Sequence, residues 1–361
     1  MECQRVLRRK FCGNMTLIDV LDLPQLYTKP TADVLLKALA LLVADPPSWD
    51  VRNNAEDGLE DWPQVDPGGA TRYLTSIVSS SLRWIEDNET KEEIWTQASL
   101  RLSERSGRTA MGAMSRKFRI PSPSGSFELS IHEPALTGDD LGLKTWAASY
   151  LLAKRLSTFD LIPKDIQNRP QVLELGSGTG LVGLAMASLG ADVVLTDLPS
   201  ICPNLSRNAK ENSAVTRRNC GSARTAVLDW ARPTSCTAYS TDALASVDER
   251  ITIKFPLILA ADSLYSPEHP RMLVDTIKLW LSEVKDAKVI VEFPYRDAYL
   301  PEIKDFRQRM IEIGLRVLEE GEENGYDDWG RLGAKRDLDD DDNALVTCWW
   351  SCWGRQISHS N

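Results

Sequence analysis

The sequence predicts an α/β chain in which a helical N-terminal extension precedes a doubly wound sheet of seven strands, the last of them antiparallel. Three observations carry this prediction. Gln171–Asp197, QVLELGSGTGLVGLAMASLGADVVLTD, reads as strand, glycine-rich turn, helix and strand. Downstream of it, short β-branched runs keep alternating with amphipathic segments, the pattern of parallel strands joined by crossover helices. Near the C-terminus that alternation stops, and two strand-like runs follow one another without a helix, so the final strand can return antiparallel.

The elements follow in order. Met1–Ser115 reads as a helical accessory region, with helix patterns at Thr31–Ala44, Arg72–Ile85 and Lys91–Leu102 and an acidic, Pro/Gly-rich loop at Asn53–Gly69. The second region runs from Arg116 to Asn361 and opens on a β-hairpin spanning 116–133. There, Arg116–Ile120 and Phe127–Ile131 alternate apolar and polar residues around Pro121–Ser126. A helix follows over Gly142–Leu156, with Trp146 in its first turns. Val172–Leu175 is apolar throughout, as a strand buried on both faces must be. Gly176, Gly178 and Gly180 break it, Leu181–Leu189 is helical, Gly190 closes that helix, and Val193–Thr196 is the second strand.

Beyond Asp197, the pattern predicts a helix at Pro199–Glu211, a strand at Arg224–Leu228 and a loop or short helix at Cys236–Arg250. Phe255–Ala261 is a strand, His269–Leu281 a helix, Lys288–Phe293 a strand and Ala298–Ile313 a helix. Leu315–Leu318 is a short strand and Leu345–Trp353 a tryptophan-rich one. Between them, Glu319–Asp342 carries eleven carboxylates against Arg331, Lys335 and Arg336 and reads as an acidic loop.

Composition narrows the function. Of 361 residues, 42% are hydrophobic and 26% charged, which is ordinary for a globular protein. No apolar stretch approaches a membrane span, and Leu35–Ala44 is interrupted by Lys37, so no membrane association is expected. The start of the chain has no apolar core of a signal peptide, which makes the cytoplasm the expected location. The net charge of −10 has the wrong sign for a chain living on phosphates, so no direct nucleic-acid binding is expected. Seven scattered cysteines and three histidines offer no zinc-ligand spacing.

The chemistry concentrates at the carboxyl ends of strands, where open α/β sheets bind ligands. Glu174–Gly180, Asp197, Asp229-Trp230, Asp262 and Phe293–Tyr295 all fall there. A turn without side chains lets backbone approach a ligand, and an acid at the tip of the second strand can accept hydrogen bonds from both hydroxyls of a ribose. Two motifs overlap in the turn. Gly178, Gly180 and Gly183 match the dinucleotide pattern G-x-G-x-x-G, whereas Glu174, Gly176, Gly178 and Gly180 match the pattern of S-adenosylmethionine (AdoMet) methyltransferases. Register favours the second, because the first glycine after the strand is Gly176. The carboxylate of Glu174 also suits a ligand with an ammonium and a sulfonium better than a pyrophosphate. An NAD-dependent oxidoreductase, a methyltransferase acting on nucleic acid or a small molecule, and a non-enzymatic AdoMet-binding module stay open on these residues.

ELGSGTG, LTD, LDW and ADSLY, in that order, make the chain resemble the seven-strand protein-lysine methyltransferases of methyltransferase family 16, over about Lys117 to Trp353. With its long helical extension, it most resembles the fungal enzymes of that family that methylate translation elongation factors. The resemblance implies AdoMet as cofactor and a protein substrate. A basic surface on that substrate is expected from the acidic stretch Glu319–Asp342, which would overhang the mouth from the end of a parallel strand. The resemblance further implies that Gly176, Ser177 and Gly178 line the methionine and ribose part of AdoMet and that Asp197 binds the ribose hydroxyls. Trp230 would pack on adenine with Asp229 near its amino group, Ala261 would contact the cofactor through its backbone, and Trp146 would close the pocket. Asp262-Ser263-Leu264-Tyr265 corresponds to the family's D-x-x-Y motif, so Asp262 and Tyr265 are the expected catalytic pair facing the lysine, with Tyr295 helping to shape the channel. The family more often has β-branched residues where this chain has Ser263 and Leu264, a difference of packing rather than chemistry.

Overall fold

Apolar residues spaced three and four apart make the N-terminal region helical, and the computed structural model places those faces against one another. Its described residues are 18–43, 65, 69–105, 112–135, 141–162, 169–240, 250–326 and 345–355. Two units emerge, dividing between Met111 and Gly112.

The first unit contains α1 (Ala32–Leu41), α2 (Ala70–Ser79) and α3 (Asn88–Ser103). Leu35, Leu39, Tyr73, Leu74, Ile77, Ile94 and Ala98 form its own buried core. Helix α3 starts where Asp87 accepts the Thr90 N–H at 2.9 Å, an N-cap. Helix α2 stops six residues before Ile85, because Ser80 turns the chain into an extended conformation within a serine run, and serine competes poorly for helix. Leu82 and Ile85 still reach the same core. Most of the Asn53–Gly69 stretch lies outside the described residues.

The second unit opens on β1 (Met114–Ser122) and β2 (Gly125–Glu133), a two-stranded antiparallel hairpin. Helix α4 (Ala147–Arg155) follows, then β3 (Gln171–Leu175), α5 (Leu181–Leu189) and β4 (Asp192–Asp197). Next come α6 (Cys202–Glu211), α7 (Ser213–Arg218), β5 (Ser222–Leu228), β6 (Cys236–Ala238) and β7 (Leu257–Ala261). The chain finishes with α8 (His269–Trp280), β8 (Lys288–Pro294), α9 (Leu300–Glu312), β9 (Leu315–Tyr326) and β10 (Leu345–Arg355).

The sheet has eight strands in the order β6-β5-β4-β3-β7-β8-β10-β9. Strands β5, β4, β3, β7 and β8 are mutually parallel, and β10 is antiparallel to both of its neighbours, as the missing crossover helix requires. Strand order reverses between β3 and β7, which puts a crevice above their carboxyl ends. The eighth strand is β6, three residues paired antiparallel to β5 where the sequence predicts a loop or short helix.

Strand β9 corrects the expected acidic loop. It runs to Tyr326, so Glu319–Tyr326 is strand, paired with β10, and 327–342 lies outside the described residues. Among the described strands β9 lies at the edge of the sheet, and its neighbour β10 supplies the hydrophobic anchor. Trp349 and Trp353 of β10 are fully buried with Phe293 and Phe306, in edge-on or tilted ring contacts 5.3–6.4 Å apart.

Candidate active site

The site begins where β3 ends and the chain must turn off the sheet. Gly176 and Gly178 have φ of +66° and +54°, a region that L side chains rarely adopt. Space forbids side chains there too: a Cβ on Gly176 would lie 3.1 Å from the Trp230 ring, and one on Gly178 3.1 Å from the Gly142 carbonyl. Ser177 pins this turn to β4, donating its N–H to the Thr196 carbonyl and accepting the Thr196 N–H on Oγ, both at 2.9 Å. At the tip of β4, Asp197 accepts the Gly178 N–H on Oδ2 and the Leu198 N–H on Oδ1, each at 2.7 Å. These two bonds fix the carboxylate in one orientation. Burial nevertheless pushes its pKa up to about 6, because the two amides offset only part of the desolvation.

A cavity of about 440 Å³ lies above these strand ends. Gly176, Ser177, Gly178, Asp197, Asp229, Trp230 and Ala261 all line it, together with Trp146, Asp262 and Tyr265. Ten residues expected at the site from sequence are therefore brought together.

Trp146 reaches the cavity by a different route from the one the sequence predicts. It is not inside a helix: it is the residue before α4, with extended backbone at φ −106° and ψ 158°. Its ring contacts two cations, Lys144 Nζ at 4.3 Å and the Arg296 guanidinium at 5.0 Å. The preceding residue is anchored twice. The Thr145 N–H donates to Glu133 at 3.1 Å, and the Thr145 hydroxyl lies 2.8 Å from that of Thr179 in the glycine turn. The hairpin that supplies Glu133 is itself clamped by α6. Asn208 and Asn212, one turn apart, pair with the backbone of His132 and Ser130 as a neighbouring strand would, each accepting an N–H at 2.9 Å and donating to a carbonyl. Asn208 also donates to the Thr179 carbonyl at 2.9 Å.

Asp262 leaves β7 in a left-handed conformation, φ +50°, which aspartate tolerates better than most residues. Its N–H is held by the Glu292 carbonyl at 2.9 Å, and its Oδ2 lies 3.9 Å from Arg296. Three residues on, Tyr265 stands at the mouth, 46% exposed. Its ring meets His269 edge-on at 4.3 Å, and His269 meets Trp230 edge-on at 5.9 Å. Burial lowers the His269 pKa, and its Nδ1 lies 3.0 Å from the Ser263 carbonyl and 3.5 Å from the Tyr265 backbone nitrogen.

Two expected residues do not line the cavity. Glu174 lies mid-strand on the face of β3 covered by α5, is 2% exposed, and accepts the Gly183 N–H at 3.1 Å. It supports the start of α5 from beneath. Its pKa is pushed to about 8, chiefly by burial, with the Gly183 amide and Ser177 pulling the other way. Tyr295 also departs, because β8 continues through Pro294 and the Tyr295 N–H pairs with Thr347 in β10 at 2.7 Å. Its ring packs on the core, and the next residue, Arg296, faces the cavity instead. Arg296, Lys144, His269 and Tyr299 are lining residues the sequence reading missed. Only Arg296 had a usable signal, as the neighbour of a strand-end residue.

The site fits AdoMet. The bare turn admits a ligand against the backbone, the oriented Asp197 carboxylate suits two hydroxyls, and Trp230 offers an aromatic wall of adenine size. Residues 124–300 match the family described as lysine methyltransferase. The chain is 30% identical to the protein-lysine N-methyltransferase rrg1 of Schizosaccharomyces pombe, over 93% of this chain and 98% of that one. It is 33% identical to the protein-lysine N-methyltransferase EFM2 of Saccharomyces cerevisiae, over 72% of this chain and 62% of the relative. It is 29% identical to the EEF1A lysine methyltransferase 3 of mouse, over 42% of this chain and 59% of the relative. With a near full-length relative and an AdoMet cradle at the switch point of its sheet, this chain belongs to the lysine methyltransferase family and is an AdoMet-dependent protein-lysine N-methyltransferase.

Proposed function

We propose that the acceptor is a lysine on a basic surface of a translation elongation factor, methylated in the cytoplasm. The named substrate of the mouse relative supports the elongation factor, and the resemblance to fungal enzymes of that kind points the same way. Among the described residues no helix is long and apolar enough to cross a membrane, which agrees with a substrate met in solution.

The observation that carries the reading is the shape of the cavity mouth. Asp262 lies at the wall with its side chain 9% exposed, and Tyr265 stands half in solvent above it. Leu198, a further lining residue, is 46% exposed, apolar area suited to a protein surface resting there. A lysine side chain is long enough to pass such a rim and present its amine at depth. AdoMet supplies an electrophilic methyl group; the chain supplies position. Asp262 accepts a hydrogen bond from the amine, Tyr265 and the aromatic wall keep water out, and the ribose end is held by Asp197. Positioning of this kind supplies much of the acceleration when no covalent enzyme intermediate is needed.

Labelled AdoMet incubated with the enzyme and a lysate from cells lacking it tests the proposal. The label should enter one protein band, and that band should be an elongation factor methylated on lysine. A band of any other identity refutes the target. Label entering nucleic acid or the small-molecule fraction refutes the placement of a lysine at Asp262.

A further inference from the structure

Methyl transfer requires a neutral amine, whereas free lysine titrates near ~10.4. A carboxylate beside that amine works against the reaction, because an opposite charge favours the ammonium form. The placement of Asp262 at the cavity wall therefore raises a question that Arg296 answers. The Arg296 guanidinium lies 3.9 Å from Asp262 Oδ2 and 5.0 Å from the centre of the Trp146 ring. Its backbone is fixed at the end of β8: the Arg296 N–H donates to the Pro294 carbonyl at 3.0 Å, and its carbonyl accepts the Tyr299 N–H at 2.7 Å. Arg296 is thus a built part of the wall, and its side chain is 27% exposed.

We infer that Arg296 is a positioning residue that balances the charge of Asp262, so that Asp262 orients the incoming lysine as a neutral amine instead of trapping it as an ammonium. The inference rests on the reading that Asp262 faces the lysine. The neighbouring groups reinforce it. Lys144 contacts the same Trp146 ring at 4.3 Å and adds charge of the same sign as Arg296. From α8, His269 is held neutral by burial, and burial raises the Tyr265 phenol. From β8, burial holds the Glu292 carboxyl well above the usual carboxylate range, which weakens its charge against Asp262. Among the described residues, the other carboxylates lining the cavity are Asp197 and Asp229, at the ends of β4 and β5, the first bound to two backbone amides and the second paired with Arg232 at 3.2 Å. Tyr299 completes the wall. Of these groups, Asp262 and Arg296 are the ion pair set at the wall where the amine is placed.

The test uses the full chain and, as acceptor, whichever purified protein takes the label from the lysate. Single-turnover methylation is measured from pH 6.5 to 10 with AdoMet and acceptor saturating, beside AdoMet affinity by calorimetry. Arg296→Met keeps the stem over Trp146 and removes the charge; Arg296→Lys keeps the charge. At an effective dielectric of about 20, a charge some ~5–6 Å away moves a pKa by about two units, and solvent around the 27%-exposed Arg296 side chain brings that to about one to two. Arg296→Met should move the acid limb of the rate profile up by that amount. It should be ten- to a hundredfold slow at pH 7.5 and approach the parent rate near pH 10, while Arg296→Lys stays near the parent curve. AdoMet affinity should remain within about threefold of the parent. An equal loss at every pH overturns the inference in favour of a packing role. A tenfold or larger loss of AdoMet affinity overturns it in favour of a cofactor contact. Asp262→Asn separates the underlying reading: a parent-like rate there removes Asp262 from the lysine and the inference with it. A slow Asp262→Asn beside an unshifted Arg296→Met removes Arg296 alone.

Discussion

Glu174→Gln isolates the energetic cost of a buried acid beneath the cofactor turn. The carboxyl is 2% exposed, with Oε2 accepting the Gly183 N–H at 3.1 Å, and burial lifts its pKa from 4.5 to about 8. The sign follows from proton counting. Between those two pH values the folded state holds the proton and the unfolded state does not, so stability falls as pH rises through the window. Below pH 4.5 both states are protonated and nothing is lost; above about 8 the loss is complete. One pKa unit corresponds to ~1.4 kcal/mol, so the full loss is roughly 4–5 kcal/mol, with about 3 kcal/mol already gone at pH 7. Glutamine keeps an oxygen for the Gly183 amide and has no proton to lose.

The assay is urea unfolding of parent and Glu174→Gln across pH 5 to 9, following the transition that added AdoMet shifts, since ligand binding marks the methyltransferase unit. Glu174→Gln adds an amide donor that needs a partner, which offsets its stability by about 1–3 kcal/mol at every pH. The slope, not the offset, is therefore the readout. The parent should lose stability relative to the variant by about 1 kcal/mol or more per pH unit between 5 and 8. Parallel curves would mean that Glu174 is ionised in the folded protein, and the desolvation reasoning would be wrong.

Two further outcomes follow from the geometry. Asp197→Ala removes an acceptor held by the Gly178 and Leu198 amides, and Gly178→Val drives a side chain toward the Gly142 carbonyl. Each should weaken AdoMet binding at least tenfold by calorimetry, as loss of an ionised hydrogen-bond acceptor is worth ~1.5–3 kcal/mol, and parent-like affinity in both would remove the cofactor from this turn. Asn208→Ala strips the His132 N–H and the Thr179 carbonyl of their buried partner, so urea unfolding should show a loss of about 2–4 kcal/mol. A change below about 0.5 kcal/mol would show that the clamp between α6 and the hairpin is not needed.

What could be read from sequence, and what could not, divides along physical lines. The β3–α5–β4 unit was legible because its signals are local: glycines at positions with no room for a Cβ, and an apolar strand before them. Asp197, Asp229, Trp230 and Asp262 were legible because parallel strands deliver their last residues to one edge. Glu174 was misplaced because strand alternation, not nearness to the motif, decides which side a carboxyl takes. Tyr295 was misplaced for the same reason, as one more residue of pairing with β10 exchanges it for Arg296. Lys144 and His269 carry no local signal; the anchoring of Thr145 before α4 and the position of α8 bring them to the cavity. The Asn208–Asn212 clamp is invisible in sequence, because two asparagines one helical turn apart ordinarily face solvent.

The acidic strand shows how folding changes the meaning of a charge count. Eleven carboxylates between Glu319 and Asp342 suggest a strong negative field for a basic partner. Pairing with β10 consumes part of it. Glu320 is neutralised by Arg307 at 2.9 Å and accepts the Trp349 indole N–H at 2.9 Å. Glu323, on the opposite face, is bound by Arg155 of α4, whose guanidinium also lies 4.3 Å from the Trp350 ring. These acids serve to fasten an edge strand and the helix that carries Trp146 at its start, so they steer nothing. The same stretch of sequence also holds Glu319, Glu322 and, over 327–342, seven aspartates and three cations, the latter segment lying outside the described residues. Screening over about 8–10 Å at physiological salt confines such a field to the last stage of approach. On the proposed reading, steering by this stretch would set how fast a basic surface arrives, while the fit of its lysine against Asp262, Arg296 and Tyr265 would decide whether it is methylated.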